Sequence, residues 1–160
     1  MATSFEDLDL DVNKLLKAVD DDSCDYLMGL TSLKIRTLNL EMLKMLKLPK
    51  KYTKAFMGKL EGYKYIDSLD EIKYGRYIKW TDVDYVKDTV PKLASGGIVC
   101  EVKIGDSGIN IVCKNFMHKY FQIVMDECMI FQKLSSQELV LLAALDHLDN
   151  NDGDYKYLVT

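Results

Sequence analysis

Between residues 75 and 134 the chain alternates short runs of β-branched and aromatic residues with turn residues, and this punctuation constrains the fold more than any other feature. The runs are 76–80, 97–104, 109–113, 119–124 and 129–133. Side chains along a strand alternate between faces. Arg76, Ile78 and Trp80 therefore share one face of the first run, and Tyr77 and Lys79 the other. Gly105-Asp106-Ser107-Gly108 separates two apolar runs and supplies glycines for the positive φ of a hairpin turn. Gly96-Gly97 reads as a flexible turn before the second run, and 115–118 and 126–127 read as two more. Five strands joined in this way predict a small, strongly bent antiparallel sheet or barrel. Ser135-Ser136-Gln137-Glu138 is a capping box, and a closing helix is expected from 136 to about 148, with Leu139, Leu142, Ala143 and Leu145 apolar.

Upstream, the periodicity is helical. Leu8, Val12, Leu15, Leu16 and Val19 recur at helical spacing. Thr31-Ser32 and Asn39 are candidate caps for two further helices, and Pro49 stops the second. Tyr52, Ala55, Phe56 and Leu60 form the stripe of another, weakened by Gly58. The expected fold class is α+β: amino-terminal helices, then a bent antiparallel sheet or barrel of about five strands, then a closing helix. The expected division is a helical segment over residues 1–70 and a β module with its carboxy-terminal helix over 71–160.

Several chemistries lack their residues. No apolar run approaches 18 residues, so no membrane span is expected. The acidic first residues lack the basic region and apolar core of a secretory signal. The four cysteines form no Cys-x-x-Cys pair, which argues against zinc. Cys100 and Cys113 fall on neighbouring strands and could face each other, but free thiols in a reducing, intracellular setting are expected. The acidic piece 149–154 fails as a calcium loop, because its glycine falls one position early and Thr160 stands where a glutamate is required. His118 and His147 have no local nucleophile or orienting acid beyond a chance pairing of His118 with Cys113. Gly96-Gly97 opens onto a strand rather than a helix, so no phosphate cradle is expected. Tyr74, Tyr77, Trp80 and Tyr85 suggest an aromatic cage, yet Trp80 shares its face with Ile78 and reads as core. No catalytic, metal or cofactor residue is assigned, and a non-enzymatic structural or interaction protein acting by protein–protein contacts is expected, with a nucleic-acid-binding accessory protein using the lysine-rich hairpin of residues 44–64 as the alternative.

Charge gives the stronger lead. The net −4 resolves into −6 over residues 1–25, +7 over 26–79 and −5 over 80–160. Lys44, Lys47, Lys50, Lys51, Lys54, Lys59 and Lys64 fall close together, with Tyr52, Phe56, Tyr63 and Tyr65 interleaved and only Glu61 opposing them. Lysines neutralise phosphates by releasing counterions, and exposed aromatics stack on bases. The seven lysines and Tyr52 are thus candidate nucleic-acid contacts. A helical hairpin with a solvated lysine face and its aromatics in the core is the other reading.

Two resemblances bear on function. Lys73-Tyr74-Gly75-Arg76-Tyr77-Ile78-Lys79-Trp80, Leu93-x-x-Gly96-Gly97-Ile98-Val99 and Ile130-Phe131-Gln132-Lys133-Leu134-Ser135 resemble a pattern in small uncharacterised proteins of large double-stranded DNA viruses, over residues 73–148. That resemblance implies a β module without catalytic chemistry, in a minor capsid component or a packaging or DNA-associated factor. It also implies location in the host cytoplasm or the virion, and partners that are other proteins of an assembly, copies of itself, or nucleic acid. Residues 38–60, with Leu40 to Leu48, Pro49 and a second lysine-bearing helix, resemble the SAP helix-turn-helix DNA-binding motif. Lys47 stands where that motif has glycine, and its turn glycine is missing.

Overall fold

The computed structural model describes residues 12–83 and 92–158, with backbone alone for Val12, Asp22, Ser23, Ser95 and residues 150–158. In chain order its elements are α1 (Val12–Asp20), α2 (Ser32–Lys44), α3 (Lys50–Lys59), β1 (Tyr63–Tyr65), β2 (Tyr77–Asp82), β3 (Ala94–Gly105), β4 (Gly108–Lys114), β5 (Tyr120–Val124), β6 (Cys128–Lys133) and α4 (Ser136–Leu158). A two-turn 3-10 helix lies at Asp22–Leu27, and single 3-10 turns lie at Leu69–Glu71 and Met125–Glu127. The class is α+β, with helices before and after an open, six-stranded antiparallel sheet of order β1-β6-β2-β3-β4-β5. The sheet does not close into a barrel among the described residues. Leu8, Asp84 and Tyr85 lie outside them.

The chain divides into two compact units: a terminal unit of residues 1–35 with 134–160, and a central unit of residues 36–133. This division differs from the expected one near residue 70, since both ends of the sequence build one unit.

In the terminal unit, Ala18, Cys24, Leu27, Ile35, Leu134, Leu141 and Leu142 form the core, with Leu15 packed against it. The stripe of α1 runs through Leu15 and Ala18, and the expected Leu16 and Val19 are exposed. The capping box of α4 forms as expected: Glu138 N–H donates to Ser135 Oγ at 3.1 Å, and Ser135 N–H donates to Glu138 Oε1 at 2.9 Å. Tyr26 donates its hydroxyl proton to the other oxygen of the buried Glu138 carboxylate. Thr31 Oγ1 accepts from Lys34 N–H at the start of α2, and Asp146 of α4 accepts from both Ser32 N–H and Ser32 Oγ. The α4 carboxylate thus covers donors that the first turn of a helix leaves unpaired.

The central unit has two apolar layers, one on each side of the sheet. On one side Ile78, Val99, Ile111, Cys113, Ile123 and Ile130 of strands β2 to β6 form a cluster with Ile66, which follows β1. On the other side Phe131 and Met129 of β6 meet Leu43, Leu46, Phe56 and Leu60 from the helical hairpin α2–α3, together with Leu93. The bend of the sheet follows from its connections. β5 and β6 stand four positions apart in strand order, about 19 Å in a flat sheet. The four Cα steps from Val124 to Cys128 reach at most about 14 Å, so the sheet must curl.

Gly96 and Gly97 are not a turn but part of β3. Trp80 stacks on Phe121 with ring centroids 5.1 Å apart, and a Cβ on Gly97 would stand 3.0 Å from Phe121 and 3.1 Å from Trp80. Glycine is needed there because two rings lie against the backbone. Gly97→Ala is expected to lower stability by about 1–3 kcal/mol through overpacking, read from the urea midpoint.

Asn39 also departs from expectation. It caps nothing, because α2 is one continuous helix past it, and its buried amide bonds the backbone of β1 instead. The helix ends at Lys44, and a turn carries the chain to Pro49, at the N-cap of α3. Lys47 sits in that turn at φ 54, the left-handed region that glycine occupies most readily.

Candidate functional site

The central unit holds seventeen Lys and Arg against twelve Asp and Glu, a net +5, and the terminal unit is at −9. The basic residues concentrate on the hairpin. Lys44, Lys47, Lys50, Lys51, Lys54 and Lys59 are all exposed. Helical spacing explains the face of α3: Phe56 is buried and Tyr52, Thr53 and Met57 are half-buried, so Lys51, Lys54, Ala55, Gly58 and Lys59 are left outward. Ala55 and Gly58 keep that face low between the lysines. Glu61, the acid within the run, pairs with Arg36 at 3.9 Å rather than with a lysine.

Two of the expected contacts, Lys64 and Tyr52, are not free surface groups. Lys64 is no surface group: it is 4% exposed, and its Nζ donates to Glu71 Oε1 at 2.8 Å and to Tyr65 O at 2.9 Å. The strand period turns Lys64 to the opposite side of the sheet from Tyr63 and Tyr65, where an unpaired ammonium would be costly. Tyr52 is half-buried, with the Lys51 ammonium 5.0 Å from its ring centre. Of the other interleaved aromatics, Phe56 is core and Tyr63 and Tyr65 pack partly against it.

The structure adds groups that the sequence run does not contain. Register places Tyr63 of β1 opposite Lys133 of β6, and Lys79 of β2 opposite Phe131. Lys79 Nζ donates to Lys59 O at the end of α3 at 2.7 Å and lies 4.7 Å from the Tyr63 ring centre. Lys133 Nζ lies 5.7 Å from the Tyr77 ring centre, and Arg76 Nη1 donates to Lys133 O at 3.2 Å. Burial first, and then the charges of Lys59 and Lys133, hold the Lys79 ammonium below its ordinary pKa. Lys59, Lys79 and Lys133 thus form a crowded cationic group that continues the α3 face, and an anion placed there would relieve the repulsion.

Among the described residues, His118, Cys113 and Asp82 are not brought together. Cys113 is fully buried, and burial, with a smaller contribution from Cys100, pushes its thiol up to about 12. His118 stands exposed on the β4–β5 turn at φ 62, where the Asn115 carboxamide accepts from Met117 and Lys119 N–H. Cys113 pairs with Val99, a register irregularity follows at Cys100, and all four cysteines are free thiols. Asp82 meets Cys128 at 3.7 Å rather than Cys113, and burial and that carboxylate push the Cys128 thiol up to about 11. An open cleft of about 280 Å³ is lined by Met42, Met45, Met125 and Met129 with Asp67 and Asp126. No metal-ligand cluster occurs among the described residues, and none of their helices is long and apolar enough to cross a membrane.

Compared with protein-family models, curated proteins and solved structures, the chain shows no match to any of them.

Proposed function

We propose that the protein is a non-enzymatic component of a nucleoprotein assembly, and that it grips nucleic-acid phosphates with the lysine face of α3 and the Lys59–Lys79–Lys133 cluster beyond it. The observation that carries this reading is the outward face of Lys51, Lys54 and Lys59, continued onto the sheet by Lys79 and Lys133. From Lys51 to Lys59 the helix rises about 12 Å, which spans the axial rise of three to four phosphates of one strand, at about 3.4 Å of duplex axis each. Ala55 and Gly58 let a rod-like polyanion approach the helix closely. The contact is to backbone phosphate rather than to base edges, so sequence preference is expected to be weak. The setting in a particle of a large DNA virus, as a minor virion component among other proteins, rests on the pattern of residues 73–148.

Salt dependence tests this directly. Duplex affinity, read by fluorescence anisotropy, is expected to fall linearly on a log–log plot between about 50 and 200 mM salt, at about −0.9 per phosphate neutralised. Replacing Lys51, Lys54 and Lys59 together by glutamine is expected to reduce that slope by about 3. Absence of binding at the lowest salt, or an unchanged slope in the triple variant, refutes the proposal.

A further inference from the structure

The two edges of the curled sheet are finished differently. At β1 the outward groups are Tyr63 C=O and Tyr65 N–H, and the Asn39 side chain bonds both, so that edge offers no template. At β5 the phase of the ladder is set by Asn115 N–H donating to Lys119 C=O at 2.9 Å. Bonded positions alternate along an antiparallel pair, so Phe121 and Ile123 bond toward β4, and Tyr120 and Gln122 turn their N–H and C=O outward. Among the described residues, none bonds to those outward groups, and β5 is the last strand in the order. Tyr120 and Gln122 are exposed and uncharged, and no proline, charge or bulge interrupts the strand. Those are the devices that ordinarily keep an edge from pairing. The two ends differ in sign: exposed Lys119 precedes β5, and exposed Asp126 and Glu127 follow it.

We propose that β5 is a self-pairing edge, by which two copies of this chain join antiparallel about a two-fold axis at Gln122. Opposite residues in an antiparallel pair share a face, so the even-numbered residues meet: Gln122 with Gln122, and Tyr120 with Val124. This arrangement forms about four backbone hydrogen bonds between the copies. It also carries Lys119 of each copy to the Asp126 end of the other, whereas a parallel pair would set Lys119 against Lys119. The charge pattern therefore selects the antiparallel pair over the parallel one, and the use of the same edge by both copies closes the dimer. The contact is small and the dimer correspondingly weak. This surface lies apart from the lysine face and does not depend on nucleic-acid binding.

Sedimentation equilibrium without nucleic acid, in a concentration series up to about 1 mM, is expected to show a monomer–dimer equilibrium. Gln122→Lys sets two like charges opposite each other at the axis and is expected to weaken association about fivefold or more. Lys119→Glu is expected to weaken it too, and Asp126→Lys added to the same chain to restore it. All three positions are exposed, and circular dichroism of each variant checks that the fold is kept. A parent protein that stays monomeric throughout the series, or a dimer indifferent to Gln122→Lys, overturns the proposal.

Discussion

Glu71→Ala is expected to destabilise the central unit by about 3–5 kcal/mol, because it removes the carboxylate that faces a buried ammonium. The side chains of Lys64 and Glu71 are 5% and 16% exposed and 2.8 Å apart. Glu71 also accepts from Asp67 and Ser68 N–H through its second oxygen, and its backbone carbonyl accepts from the buried Gln132. One carboxylate thus closes the Leu69–Glu71 turn and neutralises a lysine on the inward side of β1. Replacing both partners, as Lys64→Met with Glu71→Leu, is expected to recover much of the loss, since neither charge then remains to be desolvated. Urea midpoints of the single and double variants separate the two cases. The pair also carries a pH signature. Burial alone would raise the Glu71 pKa, but the hydrogen bonds from Lys64, Asp67 and Ser68 outweigh it and hold the carboxyl below its ordinary 4.5. A depressed carboxyl stabilises the fold above the unfolded value, and that contribution is lost as pH falls through the folded one. Below pH 4.5, Glu71→Gln is therefore expected to flatten the acid limb of the stability curve.

Asn39→Ala is expected to cost about 2–4 kcal/mol, the penalty for leaving two part-buried backbone groups without their partner. Asn39 is 2% exposed; its Nδ2 donates to Tyr63 O at 2.9 Å and its Oδ1 accepts from Tyr65 N–H at 2.8 Å. The carboxamide stands where a neighbouring strand would supply the same donor and acceptor. Hydrogen exchange localises the effect: the Tyr65 amide is expected to lose its protection in the variant before the amides of β3 and β4 do. Asn39→Asp keeps the acceptor and removes the donor, so it is expected to leave Tyr65 protected while lowering overall stability.

Where the physics is local, the sequence was legible. The alternating runs in residues 76–133 are strands, the 105–108 turn joins β3 to β4, and the Ser135–Glu138 box starts α4. Expectation failed where a residue answers to a distant partner. Tyr63-Lys64-Tyr65 looks like part of a lysine run, because a lysine turned inward has no local sign until Glu71 is seen to meet it. Asn39 looks like a cap because its bonds to β1 cross 24 and 26 residues. Gly97 looks like a turn because the two rings above it come from β2 and β5. The candidate site divides in the same way. Helical spacing alone gives the outward lysines of α3, but Lys79 and Lys133 join them only through the strand order, which no run of residues encodes.

The division of the chain has a consequence for the order in which its parts come into being. The central unit is complete once residue 133 has been made, and the terminal unit still lacks Leu134, Leu141 and Leu142 of its core at that moment. During synthesis Ala18, Cys24, Leu27 and Ile35 are made before the sheet, and their core partners on α4 after it. A segment made before the sheet thus finds its packing only after it, and a chain halted near residue 133 would present a finished basic unit with an unfinished acidic one.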